Sequence, residues 1–158
     1  MAKISVVAVG KLRNKHWRDA ADDYLKRLNR THNVEEVEVR AAHKNEQRDV
    51  KQAITKECQA LLGKIPPNAR VVALDEGGRQ MGSRDLAKFI SSHMLYESRP
   101  LCFTIGGALG LDKKLLERAE RTLSLSKMTF PHEMARVIMF EQLYRAVTII
   151  RGEPYHKD

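Results

Sequence analysis

Three short runs constrain this chain more than anything else in it: "ISVVAV" at 4–9, "RVVALD" at 70–75 and "LCFTI" at 101–105. Each is apolar almost throughout and rich in β-branched residues. A strand with one wet face alternates apolar and polar residues, whereas a strand apolar at nearly every position is covered on both faces. The segments between these runs have helical spacing. Trp17, Ala21, Tyr24, Leu25 and Leu28 recur every three or four residues after Asn14, a suitable cap. Val50, Ala53, Ile54, Cys58, Leu61 and Leu62 form a second stripe within Glu46 to Leu62, and Pro66-Pro67 stops it. Ser83 can cap a third helix carrying Leu86, Phe89 and Ile90, and Asp112 a fourth carrying Leu115, Leu116 and Ala119. "NVEEVEV" reads as a more polar strand at or near an edge, and "LSLSKMTF" as a last strand running into a loop. Pro131 sits where proline favours the first turn of a helix. Strand and helix alternate about five times. The expected fold is α/β, a mainly parallel sheet with helices on both faces, in a single domain over 1–158.

Open sheets of this kind hold ligands outside the carboxyl ends of their strands. Three loops leave strand ends with unusual residues: "LDEGG", "IGGALG" and "LSKMTFPH". Neither familiar phosphate-binding pattern fits them. A dinucleotide fingerprint needs G-x-G-x-x-G after a first strand, but "GGALG" is G-G-x-x-G and late in the chain. A P-loop needs lysine after its second glycine; Gly77 and Gly82 have the spacing, but Ser83 stands in the lysine position. Two readings stay open: tight turns without a ligand, or a nucleoside-like ligand held by backbone groups. A cofactor whose charge is a sulfonium suits the second.

The net charge of +8 points to a polyanionic partner such as RNA. Cys58 and Cys102 lie far apart with no metal-ligand spacing, which suits buried thiols in a reducing cytoplasm. His16, His32, His43 and His93 offer no metal-ligand pair either, so no metal is expected. The apolar run near the N-terminus is too short for a secretion signal or a membrane span. A cytoplasmic protein without membrane contact follows as the expectation.

The last helix, within "PHEMARVIMFEQLYRAVTIIRG", is apolar on nearly every side. Such a helix is buried all round, either in the core of one chain or between the sheet and a second subunit. Arg136, Glu141 and Arg145 interrupt it. Glu141 and Arg145 stand at i,i+4, so they can form a simple ion pair, or the arginine can be kept for a phosphate or a base edge. In the tail "EPYHK", Tyr155 can stack on a base and His156 can exchange a proton near neutral pH. A frayed basic end is the plainer alternative.

Four stretches, "ALDEGGRQMGS", "FTIGGALGL", "LSLSKMTFPHEMARVIMFEQLYRA" and "EPYHK", together resemble the RlmH (YbeA-type) family of SPOUT methyltransferases, and the likeness runs from "VAVGK" to "PYHK". That resemblance implies a trefoil knot in the C-terminal half and a homodimer with its active site between subunits. It also implies methylation of N3 of a pseudouridine in 23S ribosomal RNA, with S-adenosylmethionine as donor and the assembled ribosome as substrate. Carried onto this chain, it makes Leu74, Gly106, Gly107 and the run Leu125, Ser126, Lys127, Met128, Thr129 and Phe130 the cofactor site. Arg145, Tyr155 and His156 become the catalytic residues. One departure is visible: Ala108-Leu109 replaces the Pro-Glu that relatives often carry, which removes a loop carboxylate. A non-catalytic ribosome-binding protein is the competing reading. It accounts for the charge but not for the glycine loops.

Overall fold

The structure, a computed structural model, describes residues 2–42 and 49–158. Among the described residues ten elements alternate: β1 (Ile4–Val9), α1 (Lys15–Leu28), β2 (Val34–Val39), α2 (Val50–Leu62), β3 (Arg70–Arg79), α3 (Ser83–Tyr96), β4 (Leu101–Ile105), α4 (Lys113–Arg118), β5 (Arg121–Leu123) and α5 (His132–Ile150). The expected start of the second helix at Glu46 lies outside the described residues. The five strands form one sheet in the order β2-β1-β4-β3-β5, and all its pairings are parallel. The polar strand β2 occupies an edge, as its composition requires.

Strand periodicity divides the core in two. Ile4, Val6 and Ala8 of β1, with Leu101, Phe103 and Ile105 of β4, face one side and meet α1, α3 and α5. Val7 and Val9, with Val71 and Cys102, face the other side and meet α2 and α4 through Cys58, Leu61 and Leu115. Both cysteines are free and buried. Every residue of β1 and β4 is buried, which is why these runs carry no polar alternation.

Local chemistry sets most helix ends. Asn14 Oδ1 accepts from the His16 amide at 2.9 Å, and Asp112 Oδ1 from the Lys114 amide at 2.8 Å. The expected cap at Ser83 is displaced by one residue. Gly82 holds the cap position, and the Ser83 hydroxyl instead donates to Gln142 Oε1 at 2.8 Å, tying α3 to α5. Pro131 likewise precedes the first turn of α5 rather than standing in it. Ala119 falls just past α4.

The third strand is longer than expected, running on through "EGGR" to Arg79 with an irregularity between Leu74 and Arg79. Gly78 explains the extension. A Cβ there would lie 2.9 Å from backbone atoms of Thr122 and Leu123. The missing side chain lets β3 press against β5, so this glycine serves sheet packing rather than a ligand.

Candidate active site

The chain leaving β3, β4 and β5 converges on one cleft of about 220 Å³. Leu74, Gly106, Gly107, Leu125, Ser126, Met128, Thr129 and Phe130 all line it. Of the cofactor residues expected from sequence, Lys127 alone does not; it is exposed. Asp75, Glu76, Ala108 and His132, from the three loops marked in the sequence, also line the cleft, as does Ala135, for which the sequence gave no signal.

The loops are shaped by their own hydrogen bonds. Ser124 Oγ donates to the Ser126 carbonyl at 2.8 Å, and Ser126 Oγ accepts from the Met128 amide at 3.0 Å. Thr129 Oγ1 donates to Glu76 Oε2 at 3.0 Å, joining the last loop to the end of β3. In the glycine loop, Gly110 alone takes a positive φ, of 80°. Gly106 and Gly107 are needed for close approach instead. A Cβ on Gly106 would lie 2.8 Å from the Gly110 carbonyl oxygen, so the loop folds back on its own backbone there. A Cβ on Gly107 would point at Val9 Cγ1, 3.1 Å away, and at the Glu57 carboxylate, 3.6 Å away. Gly107 therefore lines the cleft, while its vacant side-chain direction faces α2.

The described lining contains two carboxylates and no lysine or arginine. That donor set is poor for phosphate and compatible with a cationic, nucleoside-bearing ligand contacted by backbone groups.

Arg145, Tyr155 and His156 lie together in a second cluster and do not line the cleft. The Glu141 carboxylate is its hub. Its Oε1 accepts from Arg145 Nη2 and, at 3.1 Å, from the Tyr155 hydroxyl. The Arg145 guanidinium also stands 4.8 Å over the Tyr155 ring, and Tyr144 meets that ring edge-on at 4.8 Å. Burial, then hydrogen bonds with Tyr24 and Glu141, pushes the Tyr155 phenol pKa up, keeping it a neutral donor. Arg145 Nη1 lies 3.2 Å from His156 Nδ1. A guanidinium can only donate, so Nδ1 accepts and the neutral ring carries its proton on Nε2. The tail is thus folded back on α5, not frayed, and Glu141 joins the cluster as a residue that looked in sequence like a mere ion-pair partner.

Arg136 has a different role from Arg145. It is buried beneath α5, where Nη1 bonds Glu38 Oε2 at 2.6 Å and Nη2 bonds the carbonyls of Val9 and Gly10 at 3.1 and 2.9 Å. It pins the first half of α5, and with it the wall formed by His132, to the ends of β1 and β2.

Comparisons with known proteins agree with this architecture. Residues 2–156 match the family model described as "Predicted SPOUT methyltransferase". The chain is 42% identical over 158 residues to the ribosomal RNA large subunit methyltransferase H of Carboxydothermus hydrogenoformans, a match covering 98% of this chain and 99% of the relative. Two solved structures share the fold. A probable methylase family protein from Haemophilus influenzae superposes with a TM-score of 0.59 at 12% identity, covering 99% of this chain and 71% of its own. A probable methyltransferase from Bordetella pertussis superposes at 0.55 with 13% identity, covering 92% and 95%.

Proposed function

Because the chain belongs to the SPOUT methyltransferase family, we propose that it transfers a methyl group from S-adenosylmethionine to N3 of a pseudouridine in large-subunit ribosomal RNA. The relative that is 42% identical over almost its whole length is named for methylation of that RNA. The single observation that carries the cofactor assignment is the cleft itself. Three chain segments meet there, offer backbone groups and two carboxylates, and present no lysine or arginine among the described lining.

S-adenosylmethionine supplies an electrophilic methyl group on a positively charged sulfur. As the N3–methyl bond forms, the sulfur–methyl bond breaks, S-adenosylhomocysteine leaves and the N3 proton passes to solvent; the protein's task is to hold the base nitrogen in line, and alignment is where most of the rate gain of such a displacement originates. Leu74, Gly106, Gly107 and the 125–130 segment would hold the cofactor. In the cluster on α5 and the tail, the His156 ring, whose Nε2 lies 3.7 Å from Asp158 Oδ1, would turn that nitrogen to a pyrimidine carbonyl. The Tyr155 ring and the Arg145 guanidinium would fix the nucleotide beside it.

A homodimer belongs to the same reading, as does the trefoil knot. Within one chain the α5–tail cluster does not line the cofactor cleft, and a second copy would bring the two together. Met134 and Ile138 support this. Both are half-buried, neither joins the core, and they share a helical stripe with Glu141 and Arg145.

Titration calorimetry with S-adenosylmethionine tests the cofactor half of the reading. One site per chain is expected, and absence of heat at millimolar ligand favours a non-catalytic ribosome-binding protein.

A further inference from the structure

A second cleft, of about 940 Å³, opens on the far side of the glycine loop. The two clefts share Gly107, Ala108 and His132 as a common wall. Their charges differ. The first carries two carboxylates, whereas the second carries Lys11, Arg13 and Arg40 on exposed positions at the ends of β1 and β2.

Three carboxylates also line this second cleft. Glu38 is paired with Arg136 and accepts from the Leu12 amide at 3.2 Å. Glu133 accepts from the Arg13 amide. Glu57 is buried under Gly107, its Oε2 has no hydrogen-bond partner, and burial pushes its pKa up, favouring the uncharged acid. The side chains of Lys11, Arg13 and Arg40, in contrast, form no ion pair among the described residues. The charge left available in this cleft is positive.

Resting on the functional reading above, we infer that this second cleft binds the RNA backbone beside the target nucleotide, with Lys11, Arg13 and Arg40 on phosphates flanking the base to be methylated. The shared wall gives the arrangement its sense. A base turned towards Gly107 and Ala108 reaches the boundary of the cofactor cleft while its neighbouring phosphates stay on the basic rim. The other anion within reach of these cations is the carboxylate of the cofactor's own amino-acid end, so the test must separate the two.

The test uses the full chain with Lys11→Gln, Arg13→Gln and Arg40→Gln combined. S-adenosylmethionine affinity is measured by calorimetry, and affinity for large ribosomal subunits is measured across a salt series. The expected result is an unchanged cofactor Kd, with the slope of log affinity against log salt shallower by about 2–3, roughly one per lost phosphate contact. The charge-keeping set Lys11→Arg, Arg13→Lys and Arg40→Lys should retain the parental slope. An unchanged slope in the glutamine variant overturns the inference. So does loss of cofactor affinity, which would assign the three cations to the cofactor. A parent protein that binds cofactor but methylates no ribosomes defeats the functional reading itself, a result read before any variant is made.

Discussion

The Tyr155 hydroxyl donates to Glu141 Oε1 at 3.1 Å, closing the C-terminal tail onto the middle of α5. The same carboxylate holds Arg145, and Arg145 in turn holds His156. The tail is therefore set in place before any substrate arrives, and the bond can be dissected. Tyr155→Phe keeps the ring over Arg145 and loses the hydroxyl's hydrogen bonds with Glu141 and Tyr24; a bond to a charged carboxylate is worth about 1.5–3 kcal/mol. Tyr155→Ala also removes the surface on which Arg145 and Tyr144 pack. We expect the alanine variant to bind S-adenosylmethionine as the parent does while its turnover on ribosomes falls roughly tenfold or more, equivalent to about 1.4 kcal/mol of barrier. The phenylalanine variant should lie between the two. Normal turnover by the alanine variant would return the tail to a purely structural role.

The face of α5 proposed to meet a second subunit can be separated from the face that meets the sheet. Phe140 is fully buried against the sheet, so a charge there would unfold the single chain and report nothing on assembly. Ile138 is half-buried and lies outside the core, one turn from Met134 and from Glu141 and about two turns from Arg145. Ile138→Asp should leave circular dichroism unchanged and convert a dimer to a monomer in light scattering. A parent protein that scatters as a monomer at micromolar concentration would remove the dimer from the account.

Glu57 makes folding stability depend on pH with a definite sign. Burial raises its pKa in the folded protein above the ordinary carboxylate value, so the folded state holds this proton more tightly than the unfolded state. Stability from this group is greatest at acid pH. It declines as pH rises from the ordinary carboxylate range through the raised folded value. Glu57→Gln mimics the protonated form and should raise Tm near neutrality but not near pH 4. Thermal melts of parent and variant across that range give the difference directly, and a Tm difference independent of pH would contradict the assignment.

The glycine loop can be tested at Gly106. A methyl group on Gly106 would lie 2.8 Å from the Gly110 carbonyl oxygen, a backbone atom with little freedom to move away. Gly106→Ala should reopen the loop, cost about 1–3 kcal/mol of stability as overpacking does, and weaken S-adenosylmethionine binding measurably by calorimetry. Gly110→Ala meets no neighbour within 4 Å but sits at a φ of 80°, so it is strained through its own backbone instead.

Much of the fold was legible because its strands carry a plain signal. Unbroken apolar runs demanded cover on both faces, and the charged β2 read as a strand at or near an edge. Helix caps were legible where a side chain bonds its own turn, at Asn14 and Asp112, and misplaced at Ser83, whose hydroxyl is drawn away by Gln142 from a helix 59 residues on. The extension of β3 through Gly77 and Gly78 was hidden because two glycines read as a loop, when one of them exists to admit the backbone of β5. Eight of the nine cofactor residues expected by resemblance line one cleft. Lys127 does not, since its loop is turned by Ser126 so that the lysine points outward. Glu57 was invisible as a special residue, and Arg136 was visible only as an interruption of an apolar helix. A glutamate on an apolar helix face and an arginine in an apolar helix acquire meaning only from what tertiary packing sets against them.

The account rests on methyl transfer to a single nitrogen of large-subunit RNA, and one measurement tests that most directly. Ribosomes from a strain lacking this protein are incubated with the purified chain and isotopically labelled S-adenosylmethionine, and the large-subunit RNA is digested and mapped by mass spectrometry. The account predicts one labelled methyl group per ribosome, on a pseudouridine, at N3. Label confined to another base or to a ribose, or no label at all from a protein that binds the cofactor, would contradict it.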